Sequence, residues 1–376
     1  MRSARPGRAL FVLAVLALAL AGWGGIPVAG ADAVGAVYTM TNAATGNAVI
    51  VFNRANDGTL TPGGTFSTGG LGTGAGLGNQ GGLILSRDAR WLYVVNAGSN
   101  DLSAFAVVPG GLRLVDRVPS GGERPISVTE RGGVIYVLNA GGSGNITGFA
   151  RGAGGRGRLM PLAGSTRPLS GSGADPAQIA FNFTGTILAV TEKATSLIDT
   201  YTVGQDGLPT GPNVQGSAGL TPFGFAFDRR GRLIVSEAFG GAPDASAVSS
   251  YSVGRDGGLT VISGSVPTTE TAACWIVITP DNRFAYTTNT GSGSISGYSI
   301  ARAGRLTLLD PDGRTGETGD GSAPIDMALT ADGVFLYVLN SGLGQVGTFR
   351  VGTDGSLEAL PGIGGLPASA NGLAAR

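Results

Sequence analysis

Gly82-Leu83-Ile84-Leu85-Ser86-Arg87-Asp88-Ala89-Arg90-Trp91-Leu92-Tyr93-Val94-Val95-Asn96 is the stretch that decides the fold. A short apolar alternation, a tight polar turn and a second apolar run make a β-hairpin. Period-2 patterning turns one face of each strand toward a core, and the Asp-containing turn reverses the chain. The second arm returns as Tyr38-Thr39-Met40-Thr41-Asn42, Tyr136-Val137-Leu138-Asn139, Ala189-Val190-Thr191-Glu192, Ile234-Val235-Ser236-Glu237, Tyr286-Thr287-Thr288-Asn289 and Tyr337-Val338-Leu339-Asn340. Seven copies at a period of roughly 45 to 55 residues, rich in strand signals, read as propeller blades.

The first arm recurs as Ile126-Ser127-Val128-Thr129, Ile179-Ala180-Phe181-Asn182, Phe225-Ala226-Phe227-Asp228, Trp275-Ile276-Val277-Ile278 and Asp326-Met327-Ala328-Leu329. Third strands follow, such as Ser103-Ala104-Phe105-Ala106-Val107 and Ser296-Gly297-Tyr298-Ser299-Ile300. Glycine turns such as Asp57-Gly58 and Asp354-Gly355 then lead to an edge-like fourth strand such as Leu357-Glu358-Ala359-Leu360. The expected fold is all-β, a seven-bladed β-propeller with four antiparallel strands per blade. The Tyr38 copy comes too early to have a first strand before it, whereas the tail Pro367 to Ala375 resembles a unit start with nothing after it. A C-terminal strand joining the N-terminal blade is therefore expected to close the ring.

Arg2, Arg5 and Arg8, the apolar run Ala9 to Ala21 and the small residues Ala29-Gly30-Ala31 read as a signal peptide over residues 1–31. One propeller domain over residues 32–376 remains, secreted or held in the periplasm or cell envelope, with no membrane span once the signal is cleaved. Lys+Arg and Asp+Glu balance at 25 each, which gives no general attraction to nucleic acid. Histidine is absent, so Ser-His-Asp, Cys-His and His-zinc chemistry are excluded. Cys274 is the single cysteine and reads as a small buried hydrophobe beside Trp275. Lys193, next to Glu192, is the only lysine. No cofactor and no metal are implied, and a monomer is expected.

The Tyr-Val-x-Asn second strands, the Pro-led first strands, the seven repeats and the swapped closure together resemble the seven-bladed lactonase family. That family contains the propeller-type 6-phosphogluconolactonases and the carboxymuconate cyclases and is close to the YVTN-repeat propellers. The resemblance covers the whole chain after the signal and implies a site of histidine and arginine just before first strands, a glutamate after a second strand, and a further arginine. Where the family pattern carries Pro-Arg-His this chain reads Pro222-Phe223-Gly224; where Pro-His is common it reads Pro176-Ala177-Gln178; and near Asn289-Thr290 the arginine is missing. Glu237 alone matches.

Starts of first strands and ends of second strands emerge on one face of the disc, a natural place for a ligand. Asn96, Asn139, Asn289 and Asn340, together with Gln178, Phe223, Trp275 and Asp326, are its candidate ligand-binding residues. The asparagines, Asn42 included, also suit left-handed turns at strand ends. Glutamate does not, so Glu192 and Glu237, with Lys193, are the candidate catalytic residues, poised as acid, base and cation. Arg124 and Arg167 are further candidates to meet an anion, and Asp310, Asp312, Glu317 and Asp320 form an acidic loop. The sequence thus reads as a binding scaffold for a small molecule or an envelope partner. The rival is a histidine-independent hydrolase of lactones resembling 6-phosphogluconolactone, or a ring-opening or ring-closing cyclase, using Glu237 and Glu192.

Overall fold

The computed structural model describes residues 33–152 and 157–376; the signal-peptide reading over residues 1–31 lies outside the described residues. Seven sheets form seven blades, each running from an innermost to an outer strand. Blade 1 holds Gly35–Met40, Ala48–Arg54 and Leu60–Ser67, and its innermost strand is Asn371–Ala375, so the C-terminal segment closes the ring as expected. Blade 2 is Leu83–Leu85, Trp91–Asn96, Asp101–Val108 and Gly111–Pro119. The inner strands of blades 3 to 7 are Pro125–Arg131, Pro176–Phe181, Pro222–Phe227, Ala273–Ile278 and Pro324–Leu329. In blades 3 and 6 the outer edge is split in two, at Leu159–Pro161 with Arg167–Pro168 and at Leu306–Leu308 with Gly316–Glu317.

Burial explains the repeat. Second strands such as Trp91–Asn96, Phe284–Asn289 and Phe335–Asn340 are buried at every position, because both faces of a blade are covered by its neighbours. The recurrent tyrosine does two things there. Its ring fills the space between blades, and its hydroxyl donates to the glycine carbonyl of the Asp-Gly turn in the next blade: Tyr136 to Gly207 (2.7 Å), Tyr286 to Gly355 (2.8 Å) and Tyr337 to Gly58 (2.9 Å). Blades 4 and 5 have Ala189 and Ile234 at that position, and their cross-strand partners are Thr200 and Ser250. These hydroxyls take over, donating to Gly257 and Gly304 of the next blade at 2.8 Å each. The seam bond survives the loss of tyrosine by moving one strand outward.

Candidate functional site

The pairings Pro125 with Asn139, Pro176 with Glu192 and Pro222 with Glu237 put the ends of second strands beside the starts of first strands, on one face of the disc. The asparagines lie on that face but do not look out from it. Asn96, Asn139, Asn289 and Asn340 are buried, and of the set only Asn42 has left-handed backbone, so the turn-forming expectation holds for Asn42 alone. Asn96, Asn139 and Asn289 staple their blades from within. Asn96 donates to Ser103 (2.8 Å) and Asp101, Asn139 to Asn145 (2.9 Å), and Asn289 to Ser294 and Ser296 at 3.0 and 2.9 Å. A glycine of the preceding connector packs on the staple: a Cβ on Gly70 would come within 2.5 Å of Asn96, and one on Gly122 within 2.7 Å of Asn139. A ligand at the face meets none of these amides without dismantling a blade.

The same geometry corrects the reading of the two glutamates. Glu192 and Glu237 occupy the staple position, fully buried, each within its own blade. Glu192 accepts from the Ser170 amide (3.1 Å), the Ser170 hydroxyl (2.5 Å) and Thr195 (2.6 Å). Glu237 accepts from the Gly219 amide (2.8 Å), Ser249 (2.5 Å) and Ser265 (2.7 Å). The two share no partner. Burial raises the Glu237 carboxyl above the usual range, opposed by its hydroxyl and amide donors. In blade 4 the residue matching Ser103 is Asp199, whose carboxyl oxygens are buried and receive no donor. Burial, and then the neighbouring Glu192 charge, push Asp199 up to about 8.

Gln178, Asp326, Phe223 and Trp275 sit on inner strands around the channel. Gln178 bridges two of them, donating to the Phe225 carbonyl (3.0 Å) and accepting from the Phe225 amide (2.7 Å). Asp326 accepts from the Leu373 amide (3.2 Å), tying blade 7 to the closing strand, and burial pushes it up to about 7. Phe223 and Trp275 pack at 4.9 Å between centroids with their planes tilted by 53°, and Lys193 lies 5.1 Å from the Phe223 ring.

The connector of residues 68–82, between blades 1 and 2, dips into the channel. Asn79 donates its side-chain amide to the Ile126 carbonyl of blade 3 and accepts from the Trp275 indole of blade 6 at 2.7 Å. Gln80 makes a paired bond to the main chain of Ile276, at 2.9 and 3.1 Å, and its own amide donates to Ala177 of blade 4 at 3.1 Å. Ser127 donates to the Gln80 carbonyl at 2.7 Å, and the Gly81 carbonyl receives the Val128 amide at 2.9 Å. A segment bonded to the inner strands of blades 3, 4 and 6 at once occupies the axis of the ring. Lys193 locks its outer end, donating to the Gly78 carbonyl at 2.6 Å while paired with Asp175 at 3.4 Å rather than with Glu192. Burial lowers the Lys193 ammonium, opposed by Asp175. Asn79 and Gln80 went unread in the sequence, where the available signal was a connector longer than any other between blades.

A family model described as "Lactonase, 7-bladed beta-propeller" matches residues 37–165 and 235–365. The chain belongs to this lactonase family. A proposed 6-phosphogluconolactonase from Bacteroides fragilis superposes with a TM-score of 0.71 at 21% identity, over 90% of this chain and 97% of that one. A periplasmic gluconolactonase from Pseudomonas aeruginosa gives 0.67 at 17%, over 89% and 98%, and a protein from Lactobacillus plantarum gives 0.73 at 17%, over 91% and 99%. At these identities the likeness is one of fold. No curated protein matches the chain.

Within this lactonase-family propeller, Phe223 and Gly224 stand where the resemblance expects arginine and histidine, and their surroundings suit the residues present. Phe223 packs between Trp275 and Lys193. A Cβ on Gly224 would fall 2.1 Å from the Gln80 carbonyl oxygen of the side chain and 2.6 Å from the Cys274 carbonyl, so the plug and the neighbouring inner strand together leave room for no larger residue. Cys274 itself is buried, unpaired and pushed up to about 12 by desolvation, an inert thiol beside Trp275. Arg167 folds back on the Gly164 and Thr166 carbonyls. In the acidic loop Glu317 turns to Arg314 and Asp310 to Thr315; among the described residues no group of three acidic, histidine or cysteine side chains surrounds a metal-sized space. No helix among the described residues is long and apolar enough to cross a membrane.

Proposed function

We propose that this protein is an exported, monomeric scaffold that uses the lactonase propeller to bind a small molecule or an envelope partner, with its channel withdrawn from lactone hydrolysis. One observation carries the reading. The axial channel is filled by Asn79 to Gly82, held by bonds to three blades and by Lys193. A hydrolase must bring water, an acid or base and a lactone carbonyl together at hydrogen-bond distance. Glu192 and Glu237 are buried among serine and threonine donors, which leaves them no substrate-facing lone pair without rearrangement. The periplasmic gluconolactonase among the structural neighbours supports an address outside the cytoplasm.

The competing reading rests on the raised Glu237 carboxyl, a form suited to proton donation, and requires the plug to withdraw. Purified protein assayed on a panel of aldonolactones and phosphorylated lactones separates the two. No turnover above the spontaneous rate is expected. Hydrolysis by the wild type that is abolished in Glu237→Gln would overturn the scaffold reading.

A further inference from the structure

On the face opposite the plugged mouth, a cavity of about 450 Å³ lies across the seam of blades 2 and 3, lined by Arg87, Asp88, Glu130, Arg131 and Arg151. Each guanidinium is held by an aromatic ring. Arg87 and Arg131 lie 4.5 and 4.6 Å from the centroid of the same ring, Phe183 of blade 4, and Arg151 lies 5.2 Å from Trp91 while donating to the Tyr93 hydroxyl. None of the three is in an ion pair among the described residues. The carboxylates that could neutralise them are engaged locally, one oxygen of Asp88 by Ser86 and the Arg90 amide, and one oxygen of Glu130 by the Gly133 amide. Two like charges gathered on one phenyl ring repel, and their proximity helps hold Arg131 below its ordinary range, after burial.

We propose that this cavity is a binding site for a sugar-sized, polyhydroxylated organic anion, whose phosphate or carboxylate is held by Arg87, Arg131 and Arg151. Guanidinium groups fixed against aromatic rings match the planar oxygens of such groups and lose little freedom on binding. The volume falls in the range of small-molecule sites, about 300–1,000 Å³, and exceeds what a bare inorganic ion fills. The second oxygens of Asp88 and Glu130 accept no side-chain or main-chain donor among the described residues, so they are available to hydroxyl groups of the same ligand. The site is separate from the channel and does not depend on whether the plug moves.

Calorimetry on the purified protein at low salt tests it with four probes: glucose 6-phosphate, gluconate, inorganic phosphate and neutral glucose. Glucose 6-phosphate or gluconate is expected to bind, the stronger of the two identifying the anionic group, with glucose silent and inorganic phosphate at least tenfold weaker. Arg87→Gln and Arg131→Gln should each weaken binding at least tenfold, and Glu130→Gln should weaken the organic anion without changing inorganic phosphate. Arg87 is exposed, so its variant keeps the test valid if Arg131→Gln folds poorly; melting curves report that. Absence of heat with both organic anions at about 10 mM, or affinity unchanged in Arg87→Gln, would overturn the proposal, as would inorganic phosphate binding as tightly as glucose 6-phosphate.

Discussion

At the scale of single residues, Gly224 and Gln80 form a lock. The glycine is required by proximity and not by its backbone angles, because the space its side chain would take is filled by the Gln80 amide and the Cys274 carbonyl. Gly224→Ala should therefore cost about 1–3 kcal/mol through overpacking, read as a lower midpoint in urea. Gln80→Ala should cost a similar amount through the two lost side-chain bonds to the main chain of Ile276. The double variant should cost somewhat less than the sum, because the contact with the Gln80 amide is relieved while the Cys274 carbonyl still stands 2.6 Å from the added Cβ; strict additivity would show that the Gln80 contact adds nothing to the cost. The Asn-to-Glu change is a residue-scale lesson too. Sequence shows that Glu192 and Glu237 differ from the repeat but not what surrounds them, and serine-rich surroundings convert an apparent acid-base pair into two structural staples.

Connectors and strands behave differently at the element scale. Strands were legible because their signal is local: a two-residue alternation recurs in each unit, and an Asp-Gly turn and a tyrosine recur in most. The plug was not, because residues 68–82 are glycine-rich and their partners Trp275 and Ile276 lie 196 residues away in sequence. Nothing within the loop says what it touches. Lys193 makes its attachment measurable. Lys193→Met keeps the contact with Phe223 but removes the bond to the Gly78 carbonyl, so amide exchange over residues 77–82 should speed up by about tenfold, the equivalent of a ~1.4 kcal/mol loss, while the outer strands stay protected. Unchanged exchange in that segment would mean the plug is held by its bonds to blades 3, 4 and 6 without help from Lys193.

For the whole molecule, closure and buried acids set stability together. Asp326 holds the closing strand through Leu373 and is raised to about 7, and Asp199 is raised to about 8, against an ordinary value of 3.8 for both. A folded value above the unfolded one means that the folded state keeps its proton where the unfolded state has released it. The contribution is fully present below the ordinary value and is lost as pH rises through about 7 and 8. The melting temperature should therefore fall as pH is raised from about 4 to about 8, with each group contributing at most ~1.4 kcal/mol per pH unit. Asp199→Asn should flatten this slope. A melting temperature that rises over the same interval would show that both acids are ionised in the folded ring. Removing Asn371 to Arg376 should lower stability across the whole disc and not in blade 1 alone, because the strand lost is an inner one that meets blades 2 and 7; full retention of the melting temperature would refute that role.

The axial segment also bears on the order of events during folding. Its bonds join a connector that leaves the first blade to main-chain groups of the sixth, among the longest separations in the chain, and such contacts pay their loop-closure entropy before they return any stability. Blades near the start of the chain can pair their own strands early, yet the piece of backbone between them stays without partners until strands synthesised much later have taken their places. The late steps of folding then belong to ring closure and to the hub, where a single glutamine finds both polar groups of Ile276.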